Sequence, residues 1–193
     1  MTDETPLTDK VIAVHRALDA ATVPHAFGGA LALAYCTGEP RATRDIDVNV
    51  FVAPETAGSV LGSLPDGVAH DDDDVAGCIR YGQIRLWWAR TPLDLFFGYH
   101  HFHDHAAGRV RRVPFADTVI PVLDGTDLVV FKALFDRPRD WVDIAAIADV
   151  EGADLVAAGR WLSDLVGDDD QRVRRLAEIR EASLSQGPTL AGD

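Results

Sequence analysis

Two aspartates, Asp45 and Asp47, stand one residue apart at the start of a strongly apolar segment that runs to Val52. A segment with almost no polar residue is typical of a strand at the centre of a sheet. Alternate residues of a strand point to the same face, so both carboxylates are expected to project from one side of that sheet. Two like charges beside a buried strand are costly unless a cation pairs with them. The usual cation is a hard metal ion with oxygen ligands.

A pair of glycines, Gly28 and Gly29, lies between a short predicted strand, residues 25–27, and an apolar helix, residues 30–36. Such a turn exposes backbone N–H groups at the N-terminus of the helix, which suits a phosphate group. Because glycine has no side chain, a phosphate can approach this backbone closely. Paired glycines are common in turns, so the pair alone is weak evidence for a phosphate site. It becomes stronger evidence with the pattern Arg-x-x-Arg-Asp-x-Asp that follows at residues 41–47.

Hydrophobic periodicity and turn residues predict further helices and strands along the whole chain. The other predicted helices span residues 8–22 with Thr8 as N-cap, 54–62, 105–112, 127–135, 138–150, 153–166 and 168–185. The other predicted strands span residues 46–52, 92–97 and 119–123. Residues 65–76 are predicted to be a loop, and residues 77–90 a hairpin that turns at Tyr81-Gly82-Gln83. The pattern favours an α+β fold with a small, mixed, mostly antiparallel sheet and a helical C-terminal region.

Charge and composition exclude several classes of protein. The net charge of −13 argues against a protein that coats nucleic acid by charge alone, although arginines at 109–112 and 172–175 leave room for local recognition. Two cysteines are too few for a disulfide framework. The polar first ten residues do not form a signal peptide, and no apolar run is long enough to span a bilayer. We therefore expect a cytoplasmic protein with no membrane contact.

Two clusters of polar residues invite a metal-binding interpretation that the sequence does not favour. The run of four aspartates, 71–74, is typical of a solvated loop. The segment YHHFHDH carries His100, His101, His103 and His105, and imidazole is a good zinc ligand. Their spacing is not that of a helical HExxH site, so we expect a loop at the rim of a cleft, where one or two histidines touch substrate.

The glycine turn, the helix and the Asp-x-Asp strand together resemble the nucleotidyltransferase superfamily of DNA polymerase beta type. Its members carry a third acidic residue on a later strand, for which Asp94 in the segment PLDLFF is the candidate. The resemblance implies a minimal nucleotidyltransferase fold. It implies that Asp45, Asp47 and Asp94 hold Mg²⁺ or Mn²⁺, and that Asp94 acts as general base.

A second motif narrows the resemblance. Lys132 lies on an apolar predicted helix and is followed by Arg-Pro-Arg-Asp-Trp-Val-Asp-Ile at residues 137–144. This segment resembles the Arg-x-Lys-Asp-x-x-Asp-Leu signature of the AbiEii-type nucleotidyltransferases, which are toxins of bacterial toxin–antitoxin pairs. Arginine at 139 and isoleucine at 144 depart from that signature but keep the chemical type.

The AbiEii resemblance implies a role for each matching residue. Lys132 would contact the triphosphate, and Asp140 and Asp143 would orient Lys132, Arg137 or the nucleotide. The residues expected to bind nucleotide are Gly28, Gly29, Arg44, Lys132 and Arg137. We expect a core at 1–125, a helical part at 126–185 that completes the nucleotide site, and a disordered tail at 186–193.

Structural explanations stay open for these residues. Asp45 could pair with Arg41 or Arg44, and Asp94 could be structural. Lys132 could extend from its helix to solvent. Arg137 and Asp140 could form a salt bridge between helices.

The sequence leaves more than one function open. The favoured one is a toxin that moves a nucleoside monophosphate from a nucleoside triphosphate to RNA, with tRNA as the leading acceptor and a cognate antitoxin protein as a partner. The first alternative is an enzyme that modifies an aminoglycoside or a protein, since an acidic chain suits a cationic drug. The second is a non-catalytic nucleotide-binding regulator. A zinc hydrolase built on the histidines is the remotest.

Overall fold

The structure is a computed structural model, and it describes residues 5–150 and 152–186. The described residues divide into two compact units, of which the first comprises those up to residue 31 and those from 40 to 123, and the second those from 32 to 39 and those from 124 onward. The predicted disordered tail lies outside the described residues, apart from Gln186, which ends the last helix. None of the helices formed by the described residues is both long enough and apolar enough to cross a membrane.

The first unit is built on a mixed sheet in which the described residues form seven strands. In chain order the strands are β1 His25–Phe27, β2 Ile46–Val50, β3 Val68–Ala69, β4 Gln83–Trp88, β5 Thr91–Phe97, β6 Arg111–Phe115 and β7 Thr118–Val122. Their spatial order is β3-β4-β5-β2-β1-β7-β6. The pairs β1–β7 and β2–β5 are parallel and the other four are antiparallel. The predicted α+β fold with a mostly antiparallel sheet is therefore confirmed.

The helices fall into both units. They are α1 Leu7–Ala20, α2 Gly29–Thr37, α3 Ala57–Gly62 after a 3₁₀ turn at Pro54–Thr56, α4 Asp72–Tyr81, α5 His101–Ala107, α6 Gly125–Phe135, α7 Pro138–Ala148, α8 Leu155–Val166 and α9 Gln171–Gln186. Helix α1 begins one residue before Thr8, and Pro6 occupies the N-cap position, so the predicted cap is wrong. The first three residues of α2 belong to the first unit and the rest to the second, a division that the sequence did not predict.

The two faces of the central strands differ in character, because side chains alternate along a strand. One face is buried and apolar, and it carries Ile46, Val48, Val50, Leu86, Leu93 and Leu95. The other face carries Asp47 and Asn49 of β2, Asp94 of β5, and Arg85 and Trp87 of β4. Burial of the apolar face fixes the register of the strands, since a slip by one residue would turn the charged side chains into the core.

The predicted loop at 65–76 and the hairpin at 77–90 are wrong. Asp71 caps helix α4 by accepting a hydrogen bond from the N–H of Asp74, whose side chain accepts one from the N–H of Asp71. This capping box, with acidic residues in the first turn, stabilises a helix in a segment that looked like a solvated loop. Gly82, at φ 69°, ends the helix in the left-handed region. The hairpin joins β4 to β5 instead.

The predicted histidine loop and the helix at 105–112 are also displaced. Helix α5 begins at His101, because His100 Nδ1 accepts a hydrogen bond from the N–H of Phe102 and caps it. Phe102 and Ala106 then lie on one buried face, four residues apart. The arginines at 111 and 112 belong to strand β6 and not to a helix.

The second unit is helical in the residues from 124 to 186 that the structure describes. Helix α6 packs against α7 and α8, and α9 packs against α7 and α8. Nearly every residue of α6 is buried, which explains why its sequence shows no amphipathic pattern. Asp154, the N-cap of α8, donates its N–H to the hydroxyl of Thr126 in α6.

Candidate active site

A row of three charged side chains crosses strands β2, β5 and β4 on the polar face of the sheet. Asp47 of β2 is the register partner of Asp94 of β5, and Asp94 is the register partner of Arg85 of β4. Register partners on neighbouring strands point to the same face, so the three side chains stand side by side. Asp45 is exposed and precedes β2 by one residue. The structure thus places Asp47 and Asp94, two of the three carboxylates that the sequence predicted as a metal site, side by side, with Asp45 just before the strand.

Asp94 does not stand alone in this row. Arg85 donates from Nε to Oδ1 at 2.7 Å and from Nη2 to Oδ2 at 2.6 Å, so both oxygens of Asp94 are engaged. The hydrogen bonds and the charge of Asp94 raise the pKa of the Arg85 guanidinium, and the charges of Asp45 and Asp47 add to that effect. Sequence reasoning missed Arg85. Its alternation with Ile84 and Leu86 was the available signal, but the hairpin was placed too early to reveal it.

The glycine turn lies directly against β2. The N–H of Gly28 donates to the carbonyl of Asp47 at 2.9 Å. Gly29 has φ +52°, and a Cβ at this position would lie 2.6 Å from Cγ of Asp47. A Cβ on Gly28 would lie 2.8 Å from Nδ2 of Asn49. Both glycines make room for side chains of β2, and at Gly29, where the backbone is also left-handed, the fold itself requires glycine.

A cavity of about 190 Å³ opens beside this turn. Its lining includes Gly28, Arg41, Thr43, Asp45 and Asp47. Arg44, which the sequence assigned to nucleotide binding, lines a larger neighbouring cavity of about 540 Å³ with Arg90 and Thr91. Asp45 is held by its neighbour, since its N–H donates to the hydroxyl of Thr43 at 3.2 Å.

A second cluster of charged residues lies in the second unit, on helices α6 and α7. The ammonium of Lys132 is 2.7 Å from Oδ2 of Asp143 and 3.6 Å from Oδ1 of Asp140. Arg137 donates to Asp140 from Nε at 2.6 Å and from Nη2 at 3.1 Å. Lys132 is only 6% exposed, so it is paired and buried and does not extend to solvent. All four predicted residues of the distal motif thus meet in one ion-pair network.

Local structure explains why the distal motif forms this network. Asp140 is the third residue of α7, and its side chain accepts a hydrogen bond from the N–H of Arg137. Asp140 and Asp143 lie three residues apart on one face of α7. The indole of Trp141 donates to Asp136 at 2.7 Å and fastens the link between α6 and α7. The salt bridge of Arg137 and Asp140 spans one helix start, whereas a bridge between helices was the structural alternative.

Two histidines of the YHHFHDH segment, His100 and His103, contribute to the structure of helix α5. His100 is the cap, and His103 is buried with Nδ1 3.3 Å from the carbonyl of His100. Burial lowers the pKa of His103.

The model of one protein family, described as the nucleotidyl transferase AbiEii toxin of a type IV toxin–antitoxin system, matches residues 14–189. The chain belongs to the AbiEii nucleotidyltransferase toxin family. This match covers the glycine turn, the three carboxylates Asp45, Asp47 and Asp94 (the carboxylate row) and the Lys132 network. It confirms the family predicted from the two motifs. A sequence search among proteins of established function gave no significant match.

Solved structures show that the AbiEii-family chain has a nucleotidyltransferase fold. The solution structure of the antibiotic-resistance factor ANT(2'')-Ia is 14% identical with a TM-score of 0.51, covering 93% of this chain and 91% of that one. ANT(2'')-Ia in complex with adenylyl-2''-tobramycin gives the same identity and TM-score with coverage of 94% and 99%. An antigenic nucleotidyltransferase-like protein from Paracoccidioides brasiliensis is 15% identical with a TM-score of 0.50, covering 92% and 90%. Family and fold together make this AbiEii-type protein a nucleotidyl-transfer enzyme.

Proposed function

We propose that this protein is a toxin that moves a nucleoside monophosphate from a nucleoside triphosphate to RNA, with tRNA as the leading acceptor, using Mg²⁺ or Mn²⁺. The supporting observation is that Asp47 and Asp94 are register partners on one face of the sheet, and that Asp47 lies against Gly29, the first residue of helix α2. Membership of a toxin–antitoxin family supports the toxin role and implies a cognate antitoxin protein.

The residues of the carboxylate row fit a divalent cation. Mg²⁺ prefers oxygen ligands and is bound through a few carboxylates plus substrate phosphates. Asp45 is exposed and Asp47 is half-buried. Because Gly29 has no side chain, the carboxylate of Asp47 lies directly against the backbone of the glycine turn. We propose that Asp45, Asp47 and Asp94 hold the cation, which would neutralise charge on the triphosphate and on the leaving group.

The proposed reaction is a direct displacement at the α-phosphate. A hydroxyl oxygen of the acceptor forms a bond to the α-phosphorus, the bond to the bridging oxygen of the β-phosphate breaks, and pyrophosphate leaves. Asp94 accepts the proton of the attacking hydroxyl as general base. For this role one Asp94 oxygen has to leave Arg85, which engages both.

The remaining predicted residues would hold the nucleotide. Backbone N–H groups of the turn at Gly28 and Gly29 stand at the start of α2, where a helix favours anionic groups. Lys132 would supply positive charge to the triphosphate. Asp143 and Asp140 hold its ammonium, so its position is fixed before the nucleotide binds.

Although the chain has a net charge of −13, two clusters of arginines, at 109–112 and 172–175, support RNA as the acceptor. Arg109, Arg111 and Arg112 are exposed on the first unit. In the second unit Arg172 pairs with Asp170, and Arg175 lies over the ring of Trp141. The group at 109–112 is therefore the stronger candidate for a phosphate contact.

The proposal is tested by incubating the protein with each labelled nucleoside triphosphate, with Mg²⁺ or Mn²⁺, and with purified tRNA, total RNA, an aminoglycoside or total protein. We expect label in the tRNA band, loss of transfer in Asp47→Asn and with EDTA, and normal transfer in Asp73→Ala, which changes an exposed aspartate of α4.

Other outcomes would replace the proposal. An active Asp47→Asn variant would overturn the assignment of the site. Label on the aminoglycoside or on protein alone would favour the second candidate, for which the negative charge of the chain is the supporting observation. Tight nucleotide binding with no transfer in any reaction would favour a non-catalytic regulator.

A further inference from the structure

Arg85 occupies a position that the proposed chemistry does not require. It lies on β4, opposite Asp94 of β5, and Asp94 in turn lies opposite Asp47 of β2. The guanidinium therefore stands at one end of the carboxylate row, on the face that also carries Trp87.

Arg85 and Asp94 form an ion pair with two short hydrogen bonds. Its two hydrogen bonds measure 2.7 and 2.6 Å, and such forked pairs are about twice as strong as neutral hydrogen bonds. The Asp94 side chain is 13% exposed, whereas that of Arg85 is 53% exposed. The carboxylate is thus fixed in the sheet, and the arginine is the partner that has room to move.

Arg85 also balances the neighbouring charges. Its guanidinium forms two hydrogen bonds to Asp94, and Asp47 lies opposite Asp94 on the next strand. One positive charge therefore lies at the end of the row of carboxylates that would hold a divalent cation. Because those carboxylates repel one another, this compensation stabilises the row before any metal binds.

We propose that Arg85 is a positioning residue that competes with the divalent cation for Asp94 and so sets the affinity of the site for that cation. This inference rests on the proposed function, since it takes the carboxylate row to be the metal site. When an oxygen of Asp94 is needed as a ligand or base, Arg85 releases it and turns toward solvent. Its half-exposed side chain allows this movement.

Two other roles for Arg85 predict different results. If Arg85 only oriented Asp94 toward the metal, its removal would weaken metal binding. If it were only a surface salt bridge, its removal would lower stability slightly and leave metal binding unchanged. Competition alone predicts tighter binding after the positive charge is removed.

The test is the dissociation constant of Mn²⁺ for the nucleotide-free protein, measured by electron paramagnetic resonance at about 0.15 M salt, where distant charges are screened. We expect Arg85→Gln to bind Mn²⁺ about tenfold more tightly than wild type, since loss of a cation this close corresponds to about one pKa unit of interaction. Arg85→Lys keeps the charge but loses the forked geometry, so it should bind Mn²⁺ more tightly than wild type and less tightly than Arg85→Gln.

Arg111→Gln is the matched control. It removes the same charge from an exposed position on β6, four strands from β5 in the sheet order, and should leave Mn²⁺ binding unchanged. Circular dichroism melting of each variant verifies that it is folded. Unchanged or weaker Mn²⁺ binding in Arg85→Gln would overturn the inference.

Asp47→Asn separates this inference from the function on which it rests. If Asp47→Asn binds Mn²⁺ as wild type does, the metal site itself is wrong and both proposals fall. If Asp47→Asn loses binding while Arg85→Gln is unchanged, only the role of Arg85 is refuted.

Discussion

Gly29 and Asp47 lie so close that no side chain fits between them: a Cβ on Gly29 would lie 2.6 Å from Cγ of Asp47. Gly29 also has φ +52°, a conformation that residues with a side chain rarely adopt. The glycine is therefore needed by the fold before any nucleotide binds. The close approach of a phosphate, for which the sequence suggested it, stays a prediction.

The variant Gly29→Ala should both destabilise the protein and impair transfer. A left-handed backbone costs about 1 kcal/mol for alanine, and the clash with Asp47 adds a further 1–3 kcal/mol, roughly the cost of overpacking. Urea denaturation measures the first effect and labelled-nucleotide transfer the second.

Gly38→Ala is the control for Gly29→Ala. Gly38 has φ +72° with no atom within 4 Å of the added Cβ, so it isolates the backbone strain from the clash. Equal losses of stability in the two variants would contradict the role assigned to the contact with Asp47.

Replacing Lys132 should lower the stability of the protein much more than replacing Arg137, the other cation of the ion-pair network. Lys132→Met leaves the buried carboxylate of Asp143 without its 2.7 Å partner and should lower the free energy of unfolding by about 3 kcal/mol. The side chain of Arg137 is 65% exposed, so Arg137→Met should cost about 1 kcal/mol or less. Urea denaturation at neutral pH compares the two, and similar losses would contradict the burial of Lys132.

Two buried histidines predict a loss of stability in mild acid. His15 Nδ1 lies 2.9 Å from His25 Nε2, and His25 Nδ1 lies 2.7 Å from the carbonyl of Val23. Burial lowers the pKa of both rings, so folding favours their neutral forms. Their contribution is present above the ordinary histidine pKa of about 6.5 and is lost as pH falls through the lowered values in the folded state.

His25→Gln should reduce this pH dependence. Between pH 7.5 and 5.0 the variant should lose less stability than wild type, because it lacks one of the two rings whose neutral form folding favours. His70→Gln changes an exposed histidine and should behave as wild type. Identical pH profiles for His25→Gln and wild type, measured by urea denaturation, would refute the explanation.

Within the aspartate run at 71–74, replacing Asp71 should lower the stability of the protein, whereas replacing Asp73 should have little effect. Asp71→Ala removes the acceptor for the N–H of Asp74 and should cost about 1 kcal/mol, as loss of an N-cap usually does. Asp73→Ala changes an exposed residue in the same turn and should cost no more than about 0.5 kcal/mol. Thermal denaturation compares the variants, and equal costs would argue against the capping box.

The wrong predictions between residues 65 and 90 have one common cause. The run of aspartates looked like a loop because charge and solvation were considered without the capping geometry that joins Asp71 to Asp74. Placing a hairpin at 77–90 then hid the true pairing of β4 with β5. Had that pairing been found, the alternation of β4 would have placed Arg85 opposite Asp94.

The sequence by itself determined the chemical groups and their local spacing. Asp47 and Asn49 share a strand face, and Asp140 and Asp143 share a helix face, because both relations depend only on the period of one element. The same local patterns were enough to indicate the family.

Only the tertiary structure decided which distant groups meet. Asp94 lies between Asp47 and Arg85 because burial of the apolar face sets the register of three strands. Gly29 lies against Asp47 because β1 pairs with β2 and delivers the glycine turn to its edge. Such contacts depend on the packing of segments far apart in the chain, and no local period of the sequence encodes them.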